Sequence, residues 1–179
     1  MGALRFSGVS DSTTADVSTK HLGIYLNDHL AGSVAALELV EYLSKNYPDT
    51  TLETFFAELH ADISADQDVL RDLLRTFEEG ESAVRKAGAW LAEKVGRAKF
   101  GITENEVSGT GLLEALEGLA LGITGKQLLW RSLSAASKTM PQLKGLDYAA
   151  LEQRAREQRD RVEEKRLAAA REAFKAPSA

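Results

Sequence analysis

From His21 to Leu43 the chain reads HLGIYLNDHLAGSVAALELVEYL. Wound at 100° per residue, Leu22, Leu26, His29, Leu30, Ser33, Leu37 and Val40 fall on one face, the stripe of a helix packed on a core. A second strip, Ile24, Ala35, Leu39 and Tyr42, lies on the back. A helix wet on that side would not need it, so cover on both faces is expected. The predicted helix starts near Asp16 or Ser18, either of which can cap free N–H groups, and stops before Pro48.

The next helix opens at Asp49-Thr50-Thr51, where Thr50 and Glu53 have the spacing of a capping box. Leu52, Phe55, Phe56, Leu59, Ile63, Leu70, Leu73, Leu74 and Phe77 form its apolar face, and Gly80 is the expected stop. A connection this short makes the first two helices an antiparallel hairpin. Residues 82–98 predict a shorter helix with Val84, Ala87, Leu91 and Val95 on one side, Trp90 beside them and a basic exterior. That segment could dock on the body of the protein, or lie on an anionic membrane; docking is the favoured reading.

From Thr110 to Lys138 the pattern is apolar nearly all round, which predicts a helix buried nearly all round. Gly111, Gly118, Gly122 and Gly125 gather on one side of it. Each interior glycine costs about 1 kcal/mol against alanine, so a close helix crossing is the expected compensation, by the 82–98 segment or by a second subunit. The last helix is capped by Asp147 and runs towards Phe174. Its stripe of Tyr148, Leu151, Ala155, Val162 and Ala169 is thin and interrupted by Gln158, and the rest alternates Arg and Glu.

Composition narrows the function classes. The 179 residues are 44% hydrophobic and 27% charged, a globular balance sufficient for one core. The expected organisation is a tail over 1–17, a single helical domain over 18–175 and a frayed end over 176–179. No apolar run approaches the roughly 20 residues of a membrane span, and the start lacks the pattern of a secretory signal. Cysteine is absent, which removes disulfides, thiolate ligands and a cysteine nucleophile. These features together favour the cytoplasm. A net charge of −5 disfavours nucleic acid as a partner. Residues 1–80 hold 14 acids and 5 bases, leaving +4 for the other 99, an asymmetry that reads as two differently solvated surfaces or as a guide to how copies meet.

Two helical hairpins joined by a crossover of about 30 residues differ from a simple up-down-up-down bundle. This all-α layout resembles the ferritin-like superfamily of four-helix bundles. The LNDHLAG stretch from Leu26 to Gly32 is similar to the first helix of a bacterial branch of it. The resemblance implies a carboxylate-bridged di-iron site, built from a Glu on two helices and Glu-x-x-His on the other two. Glu58-Leu59-His60 has the wrong spacing, and Ala57 stands three positions before His60. The last helix has no histidine, since the chain's three are His21, His29 and His60. Glu114 and Glu117 lie off the main face of their helix. The di-iron ligand set is therefore missing, and no metal or other cofactor is expected.

His29 and Asp66 remain. Asp66 lies about 20° off the middle of the second helix's apolar face, with Asp62 at its margin. Buried, the Asp66 carboxylate needs a donor. In a hairpin turning near residues 48–49, His29 is the nearest, with Arg154 and Gln158 as alternatives. Paired with Asp66, His29 would hold its proton more firmly than a free imidazole. The favoured reading is a structural polar pair that fixes register; the alternative is a non-standard metal or proton-transfer site of His29, Asp66 and Asp62. No nucleophile–base–orienter set accompanies Ser132, Ser134 or Ser137. The expectation is a non-catalytic bundle acting as an interaction or scaffold protein, as a homodimer. The alternatives are a metal-dependent oxidoreductase and a peripheral membrane binder.

Overall fold

The computed structural model describes residues 10–77 and 110–175, with side chains from Val17 onward. Among the described residues there are four long α-helices, a short 3-10 helix and no strand. We number them α1 (Ser10–Asn46), α2 (Thr51–Arg75), α3 (Gly111–Ala136) and α4 (Tyr148–Ala173), with the 3-10 turn Pro141–Leu143 between the last two.

Local chemistry sets most of these bounds. At α2 the Thr50 hydroxyl accepts the Glu53 amide at 3.3 Å. The Glu53 carboxylate reaches back to the amide of Asp49 (2.7 Å), one residue earlier than a standard capping box. Asp49 carries φ 58°, the left-handed turn that lets the chain reverse after Pro48. At α4 the Asp147 carboxylate accepts the Ala150 amide at 3.0 Å. The Tyr148 hydroxyl donates to the Leu143 carbonyl at 2.7 Å, and Gly145 at φ 102° makes the turn between α3 and α4.

Two expectations about bounds change. The first helix begins at Ser10, so residues 10–17, expected as tail, are helical. α2 ends at Arg75, with turn through Phe77. Gly80 and the 82–98 segment lie outside the described residues, as do 1–9 and 176–179.

Contacts fix the directions. Tyr47 meets Phe56 and Ser33 meets Gln67, so α1 and α2 are antiparallel. Glu117 meets Arg166 and Gln127 meets Glu152, so α3 and α4 are antiparallel. Asp62 meets Arg161 and Asp66 meets Arg154, so α2 and α4 also run oppositely. Hence α2 and α3 are parallel, and α2 finishes at the end of the bundle opposite to where α3 starts. The helices pack as two hairpins, α1 on α2 and α3 on α4, joined by narrower seams between α1 and α3 and between α2 and α4. One core runs through all four, with Leu26, Phe56, Leu59, Leu116, Trp130, Leu133 and Val162 essentially inaccessible. Each such side chain contributes roughly 1.5–3 kcal/mol by leaving water.

Candidate functional site

Asp66 projects from α2 into the core and is 2% exposed. Its carboxylate is taken up by three donors from the opposite hairpin. Lys126 Nζ of α3 donates to Oδ2 at 2.5 Å, Gln158 Nε2 of α4 donates to the same oxygen at 3.0 Å, and the Arg154 guanidinium bonds Oδ1. Lys126 also donates to Gln158 Oε1, so the amide presents its oxygen to a cation and its nitrogen to an anion. One turn away, Arg161 bonds Asp62 and approaches Glu58 at 3.8 Å, extending the ion pairing along the α2–α4 seam.

Burial makes this network strong or costly according to whether it is complete. In the interior, a carboxylate without a cation loses its hydration for no return. Lys126, 14% exposed in its side chain, is pulled below its ordinary pKa by burial, against which the Asp66 carboxylate holds it charged. Arg154 is 41% exposed, so its bond to Asp66 is the most solvent-screened of the three.

The expected pairing of His29 with Asp66 is corrected here. Both oxygens of Asp66 are bonded by residues from α3 and α4, and the His29 ring packs instead edge-on against Tyr25, one turn back on its own helix, at 4.7 Å. Nor is His29 held more firmly protonated. Burial lowers its pKa from 6.5, and the carboxylate opposing that shift is Asp28 rather than Asp66. Ser33, read as bonding back to its own helix, does donate to the Leu30 carbonyl (2.7 Å). It also accepts from Gln67 Nε2 (2.8 Å), tying α1 to α2.

His29 and Asp66 share a different feature, a groove of about 240 Å³ where α1, α2 and α3 meet. Asp28, His29, Gly32, Ser33 and Ala36 line it from α1, and Ile63, Asp66, Gln67 and Leu70 from α2. Gly122, Ile123, Gly125, Lys126, Leu129 and Trp130 complete it from α3. Its walls are largely apolar, with the Asp66–Lys126 pair and the Ser33–Gln67 bond as polar points.

The expected close crossing over the glycine side of α3 does not occur among the described residues. A Cβ added at Gly118, Gly122 or Gly125 would meet nothing within 4 Å, and the same holds at Gly32 on α1. Among the described residues these glycines leave space rather than admit a backbone. The adjoining outward side chains are exposed, Leu121 at 74% and Leu128 at 53% on α3 and Ile24 at 52% on α1. The second strip of α1 is thus covered only in part, Leu39 being buried and Ile24 open.

Lys126 is the central residue that the helix pattern does not single out. It lies in step with Leu119, Ile123 and Trp130, at spacings of four and three, and a lysine there reads as a long side chain reaching for solvent. Its inward position was legible from that spacing; its partner was not. A di-metal site does not fit these residues. Asp66, the one buried carboxylate among the described residues, is already bonded by two cationic side chains, and a divalent ion there would meet Lys126 and Arg154 at close range. No three His, Asp or Glu side chains gather to hold a metal ion among the described residues. No described helix is long and apolar enough to cross a membrane. Comparison with protein-family models, curated proteins and solved structures finds no match to this chain.

Proposed function

We propose that this protein is a non-catalytic helical bundle of ferritin-like layout that works as an interaction or scaffold module, assembling as a homodimer through its α1–α3 face. The parallel course of α2 and α3 supports the layout, because a simple up-down-up-down bundle would make those two helices antiparallel. The non-catalytic reading rests on one observation: the inward carboxylate at the bundle centre is neutralised by Lys126, Arg154 and Gln158. A carboxylate so occupied is a poor base and a poor ligand.

The dimer reading rests on the exposed apolar residues of the face formed by the outer sides of α1 and α3. Val17, Ile24, Leu121 and Leu128 are all at least two-fifths exposed there. Apolar side chains spread along one face are characteristic of protein contact surfaces. A second copy suits the face because the same residues would meet across a two-fold axis.

Sedimentation of the full chain tests this reading. The expected result is a dimer that Leu121→Ser with Leu128→Ser converts to a monomer while its helical circular dichroism is retained. A wild-type monomer would overturn the homodimer. Stoichiometric iron or manganese in protein purified without added metal would overturn the non-catalytic reading.

A further inference from the structure

The connection between the two hairpins has few routes open to it. α2 ends at Arg75, and α3 starts at Gly111 at the opposite end of the bundle. The two helices stand diagonally, each seamed to α1 and to α4. Residues 78–109 therefore travel the length of α3, about 39 Å for its 26 residues, over either α1 or α4. Wound as a helix, residues 82–98 supply about 25 Å of that distance.

The two routes offer different surfaces. Along α4 every exposed position from Gln153 to Glu164 is polar. Along α1, Tyr25 and Gly32 are exposed and Ala35 is half-buried, and Ala35, Leu39 and Tyr42 of the second strip turn to the side of Gly32. Across the seam lie Gly118, Gly122 and Gly125, with open space at each among the described residues. The segment matches this second surface. Val84, Ala87, Leu91 and Val95 form its apolar stripe, and Arg85, Lys86, Lys94 and Arg97 stand against one acid, Glu93. Charge favours the same route, since α1 holds five acids and two bases while α4 holds six acids and seven bases.

We propose that residues 82–98 dock along the valley between α1 and α3, with the Val84–Leu91–Val95 stripe over the groove and the basic side chains beside Asp28 and Glu38, both exposed on α1. The segment runs opposite to α3, which places its middle near the level of Gly122 and Gly125. At an ordinary interaxial distance of about 8–10 Å a methyl fits beneath it at those glycines, and a leucine does not. Leu121 and Leu128 lie further round α3, away from α1, and Val17 and Ile24 lie towards the start of α1. The surface proposed for a second copy thus borders this valley without depending on it.

The chain has no cysteine, so introduced pairs are its only thiols. In the full chain, Ala87→Cys or Leu91→Cys is combined with Gly122→Cys or Gly125→Cys, and with Gln153→Cys on α4 as the control. Mild oxidation should give an intrachain disulfide, at monomer mass, from at least one glycine pairing and none from the control, because the bond needs Cα atoms within about 7 Å. In Gly122→Leu, which leaves the ion network intact, trypsin should cut after Arg85, Lys86, Lys94 or Arg97 about tenfold faster than in the parent. Unchanged cleavage, no disulfide from any glycine pairing, or equal reaction with Gln153→Cys would overturn the docking. So would a disulfide-linked dimer, which would make the occupant a second copy. Sedimentation of the cysteine-free chain reads the homodimer separately, so either idea can fail alone.

Discussion

The two seams that join the hairpins are built from opposite materials. Between α2 and α4 the contact is ionic and closed, with Asp66 held by Arg154 and Gln158 from α4 and by Lys126 reaching across from α3, and with Asp62 on Arg161. Between α1 and α3 the contact is apolar and open, with a groove of about 240 Å³ and glycines whose missing side chains nothing replaces among the described residues. Pairing of charges in a dry interior is directional and tolerates few alternatives, so the first seam fixes how one hairpin sits on the other. Exposed apolar surface is indifferent to partner and leaves burial energy uncollected, so the second seam is where another molecule can contribute. In this molecule the most chemically suggestive residues therefore hold the fold, and the blandest ones line the open groove.

The largest effect separating the two seams is expected at Asp66. Asp66→Ala strands Lys126 and Arg154 and should cost about 3–5 kcal/mol in urea unfolding, towards the lower value because Arg154 is partly solvated. Replacing all three by Leu, Met and Met should recover most of that loss. If the single change costs under about 1 kcal/mol, water reaches the cluster and the contrast between the seams collapses.

Gln158 bridges the lysine and the carboxylate while being wholly buried. Gln158→Leu should destabilise by about 1–3 kcal/mol through the groups it leaves unpaired. The open seam responds in the other direction. Gly122→Ala and Gly125→Ala should each stabilise by about 0.4–1 kcal/mol, since the added methyl meets open space and the unfolded chain loses freedom. Measured destabilisation would mean that something fills the groove side of α3 in solution.

The smallest effect concerns His29 at the groove wall. Burial puts its native pKa below 6.5, its value in the unfolded chain. Between those two values the unfolded chain binds a proton that the native state does not, so stability rises with pH there. The contribution is lost as pH falls from about 6.5 into acid. An NMR titration of the imidazole should give a midpoint below 6.5, and His29→Gln should flatten the pH dependence of unfolding across that window. A midpoint above 6.5 would instead place an anion against the ring.

Much of the architecture was legible because its signals are local. The caps at Thr50 and Asp147, the α2 stripe from Phe55 to Leu74 and the α4 stripe through Gln158 need only neighbours within four residues. The start of α1 was misplaced because residues 10–17 are rich in Ser, Thr and Asp, which favour caps and turns yet continue the helix here. The candidate site was half legible. Asp66 falls inward by its spacing, and its need for a donor follows from burial alone. His29 was the nearest donor on the neighbouring helix, but the donors that reach the carboxylate come from 60, 88 and 92 residues further along the chain. The glycines of α3 were visible as an anomaly, though not as a groove, because a missing side chain signals either close contact or empty space.

By itself the sequence determined four amphipathic helices, their caps and turns, one inward carboxylate and the absence of the di-iron ligand set. Those are properties of short-range periodicity and of residue identity. Only the tertiary structure decided that Asp66 belongs to Lys126, Arg154 and Gln158 rather than to His29, and that glycines of α1 and α3 line a groove. Each of these depends on which helix faces are brought together across the bundle, and that is set by the packing of the whole core rather than by any one segment.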